Sequence, residues 1–256
     1  MGKVIVVANQ KGGVGKTTTA VNACSYLTLS DKKVLLVDMD PQSNATSGVG
    51  LDISEIHEGI YEALVGDKNI DDVIIPTPIK NFDIVPSTIN LAGAQVELLE
   101  MDNKEYVLKN LIDTIRNKYD FIIIDTPPSL GILTLNGFVA SDSVLIPLQC
   151  EYYAMEGLSQ LLNTIKLVNK KLNSDLKIEG VLLTMYDSRT NLSAQVVADV
   201  TNTLKDMVFN TIIPRNVKLS ESPSFGKPIN LYDPNSTGAK SYFEFTKELI
   251  KRNEAE

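Results

Sequence analysis

A chain of 256 residues, 43% hydrophobic and 22% charged, has the composition of a globular protein with a sizeable core. Its formal net charge of −8 excludes a uniformly basic nucleic-acid binder, while leaving room for a local basic face. No apolar run resembles a signal peptide or reaches the ~20 residues of a membrane span, so a cytoplasmic protein is expected. In chain order, the first apolar run is "KVIVVA" (3–8), and it leads directly into "NQKGGVGKTT". The segment "TTTAVNACSYLTL" then opens a helix. Further runs follow at "KVLLVD", "FDIVP", "YDFIIID", "DSVLIPL", "IEGVLLTM" and "NTIIP", with helical patterns clearest over Ala154–Leu172 and Leu192–Val208. The runs are rich in Val, Ile and Leu without polar alternation, as parallel strands buried on both faces require. The expected fold is therefore α/β, a mostly parallel twisted sheet with helices on both faces, in a single domain spanning 1–256.

The glycine stretch carries the chemistry. A phosphate loop rings an anion with backbone N–H groups, while a lysine reaches the terminal phosphates. Gly15, Lys16 and Thr17 fit that pattern, but its leading glycine would fall at Gln10. Gly12, Gly13 and Val14 lie inside the loop instead, with a second lysine, Lys11, before them. A strand before the loop and a helix after it place bound phosphates at a helix N-terminus, where free N–H groups and the dipole favour anions. Two acidic stretches complete the expected site. Asp38 and Asp40 follow one strand in "LLVDMDPQ", and Asp125 ends another in "FIIIDTPP". Ligands of open α/β sheets bind off the carboxyl ends of strands, and Mg·ATP needs oxygen ligands there.

These residues, in "KGGVGKTT", resemble the deviant Walker A motif of the ParA/MinD family of dimeric ATPases. The resemblance continues through "DMDPQSNATSG", "IIIDTPPSLG", "IPLQCEYYAMEGLSQLL", "EGVLLTMYDSRTN" and "IPRNVKLSESPSFGKPI". It covers nearly the whole chain and is nearest to the Soj/ParA chromosome-partitioning branch. The resemblance implies an ATPase with ATP and Mg²⁺ as cofactors, a homodimer in the ATP state, and a switch reset by hydrolysis. It implies that Lys11 reaches across the dimer to the partner's phosphates and Lys16 holds those of its own subunit. Thr17 would ligate Mg²⁺, and Gly12, Gly13, Val14, Gly15 and Thr18 would line the nucleotide. Asp40 would orient the attacking water, and Asp125 would act through the metal. Asp38 is expected to be structural, while Pro214 and Asn216 in "IPRN" are candidates for the adenine side. A loop around one triphosphate has little need of two lysines from its own chain; a facing subunit can use the second.

The family likeness also implies non-specific binding of double-stranded DNA, nucleoid association, and stimulation by a ParB-like centromere-binding partner. The segment 209–229 holds Arg215, Lys218 and Lys227 against a single glutamate, and Arg189 lies in "DSRTN"; these four are the candidate DNA contacts. Lys218 stands where some family members carry arginine, keeping the charge without the bidentate fork. Because the first strand begins at Lys3, no preceding helix-turn-helix and no operator reading are expected. The MinD-like alternative needs a basic amphipathic C-terminal helix on the membrane. Here Tyr242, Phe245 and Leu249 are expected to dock on the sheet, since the tail ends in two glutamates; no membrane partner is expected. An iron–sulfur relative would need a cysteine between Asp125 and Asp142, and there is none. With Cys24 and Cys150 far apart and His57 alone, no Cys/His zinc site is expected.

Overall fold

Val, Ile and Leu fill the apolar runs on both side-chain faces, so each run forms a strand only where helices can cover it from both sides. The computed structural model describes residues 1–254. The strands are β1 (Lys3–Val7), β2 (Val34–Asp38), β3 (Ile75–Pro76), β4 (Phe82–Val85), β5 (Phe121–Asp125), β6 (Ser143–Gln149) and β7 (Lys177–Thr184). They form one seven-stranded sheet in the order β3-β4-β2-β5-β1-β6-β7. Every pairing is parallel except that of the two-residue edge strand β3 with β4. The helices are α1 (Lys16–Thr28), α2 (Asn44–Gly48), α3 (Ile60–Val65), α4 (Leu91–Glu100), α5 (Val107–Ile115) and α6 (Ile132–Ala140). They continue with α7 (Ala154–Lys171), α8 (Asn191–Leu204), α9 (Val217–Glu221), α10 (Ile229–Tyr232) and α11 (Thr237–Glu254).

Alternate residues of each central strand enter opposite cores. Val4 and Val6 of β1 and Ile122 and Ile124 of β5 pack with α3 to α8. Ile5 and Val7, with Phe121 and Ile123, pack with α1, α2 and α9 to α11. The C-terminal helix docks as expected: Tyr242, Phe245 and Leu249 are buried, and the Tyr242 hydroxyl meets Thr19 Oγ1 of α1 at 3.0 Å. Of the two terminal glutamates, Glu254 ends α11, and Glu256 lies outside the described residues. Cys24 and Cys150 are buried thiols on opposite sides of the sheet.

One expected strand is absent. "NTIIP" lies beside β7 without forming a ladder: Phe209 N–H donates to Val181 O at 3.0 Å and Ile213 N–H to Leu183 O at 2.9 Å. The chain bulges between these two contacts, because Asn210 and Thr211 turn their N–H groups to the Glu248 carboxylate of α11, at 2.9 and 3.1 Å. A side-chain acceptor outcompetes the strand partner there, so the local apolar pattern misleads.

Candidate functional site

β2, β5 and β1 lie side by side, and their register sets Asp38 and Val7 on either side of Asp125. Three loops therefore leave the sheet at one point. The loop between β1 and α1 turns back through two left-handed glycines, Gly13 (φ +73°) and Gly15 (φ +90°), a region where a side chain would be strained. Its frame is fixed by side chains from neighbouring strands. Asn9 Nδ2 donates to Pro147 O at 2.8 Å, and Thr184 Oγ1 donates to Val14 O at 2.9 Å. Gly15 caps α1 with no side chain, and the first turn of the helix holds no acidic residue, so its N–H groups face the cavity unneutralised.

The two lysines of this loop have different surroundings. Lys16 is buried, with Nζ 3.4 Å from Lys11 O. Burial lowers its pKa, while Asp125 and Asp40 pull it back up. Lys11 is half-exposed and reaches away from the cavity, its Nζ 2.6 Å from Glu151 Oε2. The same loop thus directs one ammonium inward and the other outward.

The carboxylates are crowded. Asp125 is fully buried; burial first, and then the nearby Asp38 charge, push its pKa up to about 8, against the pull of Thr17 and Lys16. Thr17 Oγ1 donates to its Oδ2 at 2.7 Å, while Oδ1 has no partner among the described residues. Asp38, also buried, is pushed up to about 6 chiefly by desolvation. It is consumed structurally, accepting from the N–H of Asp40 and from both the N–H and hydroxyl of Thr46. Asp40 accepts from Gln42 N–H at 3.0 Å and lines the cavity.

That cavity has a volume of about 490 Å³ and is walled by Gly12, Gly13, Gly15, Lys16, Thr17 and Thr18 on the loop side. It is also lined by Met185, Pro223 and Pro228, apolar residues that lie within the quoted motifs but have no expected role there. Lys227, a candidate DNA contact, also lines it. Pro214 and Asn216 do not. Pro214 bridges to Tyr186, and Asn216 spends its side chain capping α9, accepting from Leu219 N–H and donating to Thr237 Oγ1. A larger depression of about 780 Å³ lies at the end of α8. Of the two cations that line it, Lys205 and Arg252, the arginine is already engaged by Val208 O and Glu248, and no glycine lines it.

The remaining basic candidates lie apart from the cavity. Arg189 is exposed but gripped by Asp187, and Lys218 is 3.0 Å from Glu221. Arg215 is exposed, and its N–H donates to Tyr186 O at 2.9 Å, the residue directly before Asp187, the partner of Arg189.

A glycine loop between a parallel strand and a helix, a buried lysine and two carboxylate-bearing strand ends define a P-loop nucleotide-binding α/β protein. A family model described as an AAA domain matches residues 2–178. The chain is 56% identical to the sporulation initiation inhibitor protein Soj of Bacillus subtilis, over 97% of this chain and 98% of that protein. It is 55% identical to the chromosome partitioning protein ParA of Myxococcus xanthus, over 99% of this chain and 89% of that protein. Among solved structures, cobyrinic acid a,c-diamide synthase from Mycobacterium smegmatis, with bound ADP and magnesium, superposes with a TM-score of 0.87 at 39% identity, covering 100% of this chain and 96% of that one. The chain belongs to the ParA/MinD-type AAA-domain family.

Proposed function

We propose that this chain is a DNA-partitioning ATPase of a single domain, which dimerises around ATP, holds DNA without sequence preference, and releases it after hydrolysis. The observation that carries the reading is the division of labour between Lys16, buried at the phosphate loop, and Lys11, directed outward from the same loop. The partitioning role follows the names of its relatives in B. subtilis and M. xanthus. By the same likeness it works in the cytoplasm on the nucleoid, with a ParB-like protein as its stimulating partner.

Within one subunit, α1's free N–H groups and Lys16 take the β- and γ-phosphates. Release of Lys11 from Glu151 lets it cross to the nucleotide of a facing subunit. The exposed Lys11–Glu151 pair costs at most about 1 kcal/mol to break, so the γ-phosphate can outbid it. The residues present fit magnesium: Thr17 offers a hydroxyl, and Asp125 an unpartnered buried oxygen beside it. Magnesium bound with ATP supplies charge neutralisation on the phosphates. Thr17 and Asp125 would hold the metal's side of the site, and Asp40, on the cavity wall, would orient the attacking water.

The membrane reading finds less support, because the apolar side of α11 is buried against its own chain. Sedimentation with random-sequence DNA in ATP, in a non-hydrolysable analogue and in ADP tests the proposal. DNA binding with the first two and not with ADP is expected. Binding that ignores the nucleotide, or that goes to anionic vesicles instead, overturns it.

A further inference from the structure

Arg189 does not stand free. Its Nε donates to Asp187 Oδ1 at 2.9 Å and its Nη2 to Asp187 Oδ2 at 2.7 Å, the two-pronged geometry that a guanidinium offers a phosphate. The two partners differ in freedom. The Arg189 side chain is 83% exposed, whereas that of Asp187 is 18% exposed. Asp187 is also fixed by its loop: it accepts Arg189 N–H at 3.0 Å, its carbonyl accepts from Thr190, and its own N–H faces Ser193 Oγ. The arginine is therefore the member that can leave. Arg215 is held beside this loop by its bond to Tyr186 O, and its charge also bears on Asp187, whose carboxyl the Arg189 hydrogen bonds hold well below the usual range. A carboxylate thus sits among the basic residues of the surface assigned to DNA.

We infer that Asp187 is a resident competitor for DNA phosphate, occupying Arg189 in each subunit and lowering the DNA affinity of every single subunit. This rests on the reading of Arg189 and Arg215 as DNA contacts. A phosphate must displace the Asp187 carboxylate to reach Arg189, and the displaced carboxylate then stays close to the DNA backbone. Each subunit's grip is weakened, so retention depends on the contacts that two subunits make together. Phosphate contacts act multiplicatively on affinity, so the handicap counts twice in an ATP dimer and once in a monomer, and it leaves the monomer, which has few contacts, too weak to stay on DNA at moderate salt. The carboxylate would thereby lower the residual DNA affinity that each subunit keeps after hydrolysis.

The test compares the full-length chain with Asp187→Asn, both in the ATP state on random-sequence duplex DNA, across a salt titration. Asparagine keeps an oxygen for Arg189 N–H and removes the charge; Asp187→Ser, which also keeps an acceptor, serves if the first variant does not fold. Each freed arginine adds roughly 0.9 to the steepness of log affinity against log salt, so a dimer gains about 1.8. Between roughly 200 and 50 mM salt the variant should therefore gain about tenfold more affinity than the wild type does. It should also keep measurable DNA binding in ADP, with basal ATPase unchanged. Adding Arg189→Ala to the variant should erase the gain. If Asp187→Asn matches wild type while Arg189→Ala alone weakens binding, the competitor role is wrong and the DNA surface stands. If Arg189→Ala alone changes nothing, the DNA surface itself falls, and the inference with it. A gain that survives in the double variant also overturns the inference, because it would then be a general charge effect.

Discussion

At the carboxyl ends of β1, β2 and β5, Lys16, Asp40 and Asp125 are buried and held by the strand register and a glycine turn. Around α9 and the β7–α8 loop, Arg189, Arg215 and Lys218 stand in solvent, and two of the three are paired with carboxylates of their own chain. Both regions present cations suited to phosphate. In the first, desolvation makes each charge strong and each misplacement expensive. In the second, water and salt weaken every pair, so only the number of contacts matters. Single substitutions should accordingly be severe in the buried region and graded on the surface.

The largest expected effect is at Asp40. Asp40→Ala removes the carboxylate proposed to orient water, which should lower turnover by roughly 10²–10⁴-fold while leaving ATP-dependent dimers on DNA. Turnover within a few-fold of wild type would remove Asp40 from the reaction. Next comes Lys16→Ala, where loss of a charge-assisted contact to phosphate should weaken ATP binding by roughly 100-fold. Lys11→Ala should instead keep nucleotide binding by calorimetry and lose the ATP dimer in light scattering. A dimer of normal mass from Lys11→Ala would end the cross-subunit assignment.

The buried carboxylates give the comparison a pH dependence. Asp38 is pushed up to about 6 and Asp125 to about 8, from an ordinary value of 3.8. Over that window the folded chain binds more protons than the unfolded one, so stability falls as pH rises. Melting temperatures of the nucleotide-free protein should thus decline from about pH 5 to about pH 8, and Asp125→Asn should flatten the decline over its upper part. Superposable curves for the two proteins would show that the buried Asp125 charge is not the source.

The buried region was largely legible in the sequence, because its signals are local and mutually required. The glycines at 12, 13 and 15, the helix-starting Lys16-Thr17 and the acidic strand ends appear in the quoted motifs, and the parallel fold follows from two-sided apolar strands. Asp38 was legible as structural, and its three hydrogen bonds agree. What escaped depended on long-range partners. Glu248 captures two amides of the expected "NTIIP" strand from a helix 37 and 38 residues away. Asn216 turns to capping, and Met185, Pro223 and Pro228 close the cavity in its place, because chain direction after β7 is set by packing against α11. On the surface, Asp187 was in plain view two residues before Arg189, but a sequence does not record which way either side chain points.

The smallest effect separates two residues of the surface region itself. Arg215 has no ion pair among the described residues, whereas Lys218 is held 3.0 Å from Glu221 and lies 5.7 Å from the Tyr232 ring centroid. An unpaired cation gives its full counterion-release term to DNA, and a paired one gives only what remains after leaving its carboxylate. Arg215→Ala should therefore reduce the steepness of log affinity against log salt by about 1.8 per dimer. Lys218→Ala should reduce it by less than half as much, because the wild-type lysine was already partly neutralised. The same salt titration run on Lys218→Ala with Glu221→Gln separates the causes, since freeing the lysine alone should steepen the slope and losing both partners should not. Equal losses from Arg215→Ala and Lys218→Ala would mean that DNA strips the Glu221 pair without cost, and that exposure alone ranks these contacts.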